Sequence, residues 1–409
     1  MAERSGDALL APAGDPGAAC RINALSDDIL IRAISHLGVR QVVRTCFLSR
    51  RWRDLWRSVP RINASVSEFA SPRELDHFID ADAECYVLFK KFVNRFMMLR
   101  NPIALEEFWL WYLVPNASVN LGADSEDANL WIGHALQCNA RSVKVATIHN
   151  HLQLDPVVFT SECSLTDLQL FSVDLFPGFF RQLQRACKAL ERLVLCDCDI
   201  SDVEISSDTL ESLTIDSDCQ FTYEEEQASI SIPTLNYLSF STFRRLPLLK
   251  NTESLETVHL LVDSYRTQVD DIRQILKSLS GITNLKFNHT GRRLKMKKNL
   301  QWCPKFDNLR TLTLSEWCLH PKFYPLIVFL QNSPNLEELT LELRLTGTYQ
   351  SFTGDLEARS FTCEHLKVVN IIWWDTSEGD AVLNSLEKFL HDSGITSDKI
   401  DIELRSSRL

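Results

Sequence analysis

One spacing recurs along most of this chain: apolar residues at positions 1, 4 and 6 of a six-residue frame, L-x-x-L-x-L, with Ile, Val or Phe admitted in place of Leu. The clearest copies are LTDLQL from Leu165, LERLVL from Leu190, LESLTI from Leu210, LNYLSF from Leu235, LRTLTL from Leu309 and LEELTL from Leu336. Weaker copies are LEEFWL from Leu105, ARSVKV from Ala140, LETVHL from Leu255, ITNLKF from Ile282 and LKVVNI from Leu366. The alternation inside each copy predicts a short strand. Between copies the apolar spacing turns helical, as in NLWIGHALQ from Asn129, PGFFRQLQRACKAL from Pro177, DDIRQILKSLS from Asp270, YPLIVFLQNS from Tyr324 and GDAVLNSLEKFL from Gly379, and CYVLFKKFVNRFMML from Cys85 reads as a helix ahead of the first copy.

Eleven frames result, with starts 35, 25, 25, 20, 25, 20, 27, 27, 27 and 30 residues apart. Those intervals lie in or near the ~20–29 residues of a leucine-rich repeat. Frame positions 1, 4 and 6 must be buried, and one strand cannot bury them alone, so each unit needs a neighbour on either side. The expected fold class is α/β: a leucine-rich-repeat horseshoe, a curved parallel sheet with helices on its convex side. The bland alternative is a large α/β domain whose strands happen to contain leucines. It leaves unexplained why the same frame is so often followed by a helical segment.

Residues 20–61 carry no such frame. Ser26 is placed to cap a helix whose first turn holds Asp27 and Asp28, and Gly38 to close it after Leu37. The apolar residues Ile29, Leu30, Ala33, Ile34 and Leu37 form one broad stripe. A second short helix would hold Val39, Val42, Val43 and Cys46, and a third, from Ser49, would set Trp52, Leu55 and Trp56 on one face until Pro60 stops it. Three helices in about forty residues are too few for a self-sufficient core. Their apolar surface must be covered by the adjoining repeats or by another protein.

Composition narrows the function. Leucine supplies 59 of 409 residues, whereas Gly and Pro together supply only 27, which disfavours enzymes built on glycine-rich phosphate loops. Net charge is −11, yet residues 20–61 hold nine Arg against three Asp, so the remainder carries −17 and should repel nucleic acid. No basic n-region or apolar run of membrane-spanning length is present. The twelve cysteines are scattered without C-x-x-C spacing and read as reduced core thiols.

No G-x-S-x-G, G-x-x-x-x-G-K-[ST], H-E-x-x-H or EF-hand spacing occurs, so no enzyme activity is expected of the chain itself. His149 with His151, and Cys363 with His365, lack a second ligand pair at zinc spacing and read as structural or solvent-exposed. No metal or cofactor is expected. Glu224–Glu226 reads as a solvated loop. RRLKMKK at 292–298 reads as a loop between repeats, or else a nuclear address.

The segments RINALSDDIL, AISHL and VVRTCFLSRRWRDLW, in this order and spacing, resemble the F-box of plant proteins. The chain departs from that pattern at Cys20, where an acid commonly stands, and at Ser26, where the family has Pro. FVNRFMMLRNPIALEEFWLWYL (92–113) and NLWIGHALQCNARSVKV (129–145) resemble the following segments of plant F-box/leucine-rich-repeat proteins, and the end of the chain resembles their FBD-type terminus. The organisation expected is a disordered tail at 1–19, an F-box at 20–61, a linker and helical cap at 62–104, repeats at 105–360, and a last repeat with an FBD-like cap at 361–409.

The resemblance implies the substrate-recognition subunit of an SCF-type, cullin-RING E3 ubiquitin ligase, in the nucleus or cytoplasm. A Skp-type adaptor and cullin scaffold would be partners, with neither membrane nor nucleic acid among them. Leu25, Ser26, Ile29, Leu30, Ile34, Leu37, Leu48, Trp52 and Leu55 would carry adaptor docking or the packing behind it. Frame positions 3, 5 and 7 point away from the core and offer Trp109, Trp111, Phe171, Tyr237, His259 and Glu338 for a protein substrate. For Trp109 and Trp111 the competing reading is that the helix from Cys85 folds over them. The competing function is a non-ligase interaction scaffold with a degenerate F-box.

Overall fold

The computed structural model describes residues 21–70, 83–113, 121–148, 151–216, 218–222, 227–242, 246–263, 269–290, 303–319, 323–343, 364–374 and 380–405. The expected tail at 1–19, His149, Glu224–Glu226, the basic run at 292–298 and Cys363 lie outside the described residues.

Thirteen strands form one all-parallel sheet in strict chain order. They are Arg61–Ser65, Glu107–Leu113, Ser142–Ile148, Asp167–Phe171, Arg192–Cys196, Ser212–Ile215, Tyr237–Thr242, Thr257–Asp263, Asn284–Thr290, Thr311–Ser315, Glu338–Leu343, Val368–Trp374 and Ile400–Arg405. Each of the eleven frames supplies one of them. The two that the frame misses are the outermost. Arg61–Ser65 pairs with Glu107–Leu113, and Ile400–Arg405 pairs with Val368–Trp374, so each has a repeat on only one side and needs fewer apolar residues.

Register makes the repeat physical. Phe108, Val143, Leu168, Leu193, Leu213, Leu238, Val258, Leu285, Leu312, Leu339 and Val369 lie in one cross-strand row and are all buried. Alternate residues face the other side, as the two-residue period of a strand requires. Helices Ala83–Leu99, Leu121–Gln137, Phe179–Ala186, Val269–Ser278, Tyr324–Gln331 and Asp380–Asp392 return the chain where the spacing predicts helix. The strand–helix alternation lapses in the middle. From Leu152 to Lys250 the described return segments include short strands as well, which build two small accessory sheets of four and three strands.

The leading helical unit differs in detail from the expectation. Helix α1 (Asp27–Ile34) begins after Ser26, but the Ser26 side chain makes no capping bond and the helix ends before Leu37. Gly38 is therefore no left-handed stop; it has φ −64° and precedes helix α2 (Val39–Arg44). Its missing side chain matters for another reason. A Cβ there would lie 2.3 Å from the Glu68 carboxyl carbon, because that carboxylate accepts hydrogen bonds from the backbone N–H of Arg40 (3.1 Å) and Gln41 (3.4 Å) at the α2 N-terminus. Burial raises the Glu68 pKa against those bonds and the nearby Arg40 and Arg44. In place of a third α-helix stand two 3-10 turns, Arg50–Arg53 and Leu55–Ser58, which still bury Trp52, Leu55 and Trp56.

This unit shares its core with the repeats. Trp56 packs on Phe96 with ring centroids 5.4 Å apart, and one contiguous apolar cluster runs from Leu30 to Ile395. Arg100, buried at the end of the helix Ala83–Leu99, donates to the Val59 carbonyl and to Cys138 just beyond the end of Leu121–Gln137. The negative ends of two helices thus surround a cation that has lost its water, which lowers its pKa mainly through burial.

Candidate functional site: two faces on one scaffold

The nine residues expected at an adaptor face divide by burial. Leu30, Ile34, Trp52 and Leu55 are in the core, Leu37 is half-buried, and Leu25, Ser26, Ile29 and Leu48 are exposed. The four buried residues cannot be docking contacts as the unit stands. Helical spacing turns them inward, and they hold the exposed ones in place. Phe47, which is not among the nine, is 87% exposed, and Leu48 beside it is 65% exposed. Ile22 is also half-exposed. The sequence does carry a signal for Phe47: it falls outside the stripe of buried residues, which is where a solvent-facing residue is ordinarily polar.

These apolar residues come from two stretches, 22–29 and 47–48, and Arg51 ties the stretches together. Its guanidinium lies 2.7 Å from the Asp27 carboxylate and donates to the Leu25 carbonyl. The buried residues of the unit join the common apolar core, where Trp56 meets Phe96. What stays open is thus the set of exposed apolar residues on the two stretches, followed along the chain by the exposed Arg50 and Arg53.

The second face is the side of the sheet away from the core. Trp109, Trp111, Phe171, Tyr237, His259 and Glu338 all lie on it, each half-buried by its neighbours. The structure brings them together only in part. Lys144 Nζ sits 5.2 Å from the Trp109 ring and 5.3 Å from the Phe171 ring, so a lysine outside the expected set joins two of its members. The helix Ala83–Leu99 does not cap this group. Its Phe89 meets Tyr112 and Trp131 on the core side, because Tyr112 alternates with Trp109 and Trp111 along the strand.

Tyr237 and His259 form a separate pair, with Tyr237 Oη 3.1 Å from His259 Nδ1. Burial, and then Lys286, lower the His259 pKa, which favours the neutral ring. The two carboxylates on this face near the end of the sheet, Glu338 and Glu342, are both engaged. Lys286 pairs with Glu342 at 2.7 Å, and Asn370 donates to Glu338 at 2.8 Å. His151 is held by carboxylates from neighbouring segments. Its Nδ1 is 2.8 Å from Asp174 and its Nε2 3.5 Å from Asp197, so the four-stranded accessory sheet carries a compact His–Asp cluster.

A small helical module with an open apolar face, continuous with a stack of parallel leucine-framed strands, is the architecture of an F-box protein with leucine-rich repeats. Comparison with known proteins bears this out. The family model described as At1g61320/AtMIF1, LRR domain, matches residues 135–377, and the F-box domain model matches 22–63. The chain is 26% identical over 379 residues to F-box protein At3g59000 of Arabidopsis thaliana, covering 79% of this chain and 73% of that one. It is 23% identical over 436 residues to the putative F-box/FBD/LRR-repeat protein At5g44950 of the same plant, covering 94% and 95%. The meiotic F-box protein MOF of Oryza sativa subsp. japonica is 26% identical over 417 residues, covering 86% and 80%. The chain belongs to the plant F-box/FBD/LRR-repeat protein family. Among the described residues no helix is long and apolar enough to cross a membrane.

Proposed function

We propose that this protein is the substrate-recognition subunit of an SCF-type ubiquitin ligase, in which the F-box docks on a Skp-type adaptor and the open face of the repeat sheet holds a target protein. The observation that carries the reading is the division of the F-box into a buried stripe, continuous with the repeats, and an exposed apolar face made of Ile22, Leu25, Ile29, Phe47 and Leu48. An apolar face of that kind on a module already anchored from behind calls for a second chain. Transfer chemistry then belongs to partners in the nucleus or cytoplasm. This chain contributes proximity, turning a bimolecular encounter into a local one.

On the repeat side, the Trp109–Lys144–Phe171 group and the Tyr237–His259 pair are the anchors we assign to the target. Aromatic rings held half-buried by neighbours lose little entropy when a partner covers them. The test is co-purification from plant extract. Adaptor and cullin recovered with the wild type, and lost with a Phe47→Ala/Leu48→Ala double variant that keeps its melting temperature, support the reading. Recovery of neither refutes it and leaves a scaffold, and equal recovery of both from the two proteins refutes the docking face assigned to Phe47 and Leu48.

A further inference from the structure

Cys163 and Cys187 come from successive repeats, yet their sulfurs lie 2.9 Å apart. The approach is built by the fold. The Cys163 N–H donates to the Ala186 carbonyl at 2.9 Å, and the Cys187 N–H donates to the Leu183 carbonyl at the end of the helix Phe179–Ala186. Beside them Glu162 pairs with Lys188, linking the same two segments at the surface.

The two thiols differ in access. Cys187 is buried, whereas Cys163 is half-buried and lines a groove of about 710 Å³ between the helix Leu121–Gln137 and the turn Pro156–Phe159. We propose that Cys163 is a site of reversible oxidation by peroxides, with Cys187 as the resolving thiol that closes a disulfide between two repeats.

The electrostatics agree with that division of roles. The hydrogen bond from the Cys187 thiol lowers the Cys163 pKa to about 7, and the same contact together with burial raises that of Cys187. Elsewhere burial pushes the Cys196 thiol up to about 12 and raises those of Cys303 and Cys318, while Cys219, whose pKa is also lowered by its contact with Cys198, is buried. The thiolate is the nucleophile. Cys163 thiolate attacks one oxygen of hydrogen peroxide, the O–O bond breaks, and hydroxide leaves, giving a sulfenic acid. The Cys187 sulfur then attacks the sulfenic sulfur; its proton and the departing hydroxyl leave as water while the S–S bond forms. Closing from 2.9 Å to the ~2.05 Å of a disulfide needs a shift of under about 1 Å.

Full-length protein treated with hydrogen peroxide, alkylated without reduction and digested should yield a linked peptide pair containing Cys163 and Cys187, lighter by two hydrogens than the separate thiol peptides. Reductant should reverse it. In Cys187→Ser the sulfenic acid should persist on Cys163 and be captured by dimedone, and in Cys163→Ser neither product should form. The rate should rise about tenfold from pH 6 to pH 8, following the thiolate fraction of a group titrating near 7. Full alkylation of both cysteines after peroxide, dimedone capture spread evenly over the other cysteines, or linkage of Cys187 to a different cysteine in Cys163→Ser would overturn the assignment. The wild-type peptide map decides the question even if a serine variant folds poorly.

Discussion

Phe47 offers the sharpest separation of docking from folding. Its ring is 87% exposed, so truncation removes almost no internal contact, and the stability of Phe47→Ala should stay within about 0.5 kcal/mol of wild type. If an adaptor covers the ring, burial of a Phe side chain is worth ~1.5–3 kcal/mol, and 87% of that is about 1.3–2.6 kcal/mol, a loss of roughly 10- to 80-fold in affinity. Leu30→Ala should behave in the opposite way. That side chain is 1% exposed, and its truncation should cost about 2–5 kcal/mol of stability through lost burial and the cavity left behind. Calorimetric titration with a purified Skp-type adaptor gives the affinities, and urea denaturation of the same samples gives the stabilities. Unchanged adaptor affinity in Phe47→Ala, or destabilisation comparable to Leu30→Ala, would refute the division of the F-box into a docking face and a packing stripe.

Gly38→Ala should lower stability by about 1–2 kcal/mol, since the new methyl displaces the Glu68 carboxylate from the α2 N-terminus. In a Glu68→Ala background the same change should cost far less, which a double-mutant cycle by urea denaturation will measure. His259 is held below its ordinary pKa by burial, so its contribution is complete above about pH 6.5 and is lost as pH falls through the lower, folded-state value. The urea midpoint should drop as pH falls from about 6.5 to that lower value, and His259→Asn should flatten that part of the profile; an unaltered slope would count against the burial argument. Trp109→Ala should reduce target recovery in a ligase-arrested pull-down while leaving adaptor recovery intact, because Trp109 lies on the repeat sheet and not on the F-box. Loss of both together would mean the face is structural.

Eleven of the thirteen strands are legible as leucine frames, because a repeat that must bury the same three positions against its neighbours writes that demand into every copy. The helices with a clear apolar stripe are legible for the same reason. Burial is a local, periodic requirement, and periodicity survives in one dimension. The end strands and the short return strands from Leu152 to Lys250 are not, since they bury few residues each.

Long-range approach was decided only when the chain closed on itself. Gly38 reads as a helix stop until Glu68 is seen to arrive beside it, and Trp52 reads as either a docking or a packing residue until it is seen in the core. Lys144 between Trp109 and Phe171, and Cys163 against Cys187, each join residues on different repeats. Spacing along a chain states which side of its own strand or helix a residue takes. Which residue from another repeat meets it there depends on register and on the length of every return segment between, and those are settled by packing.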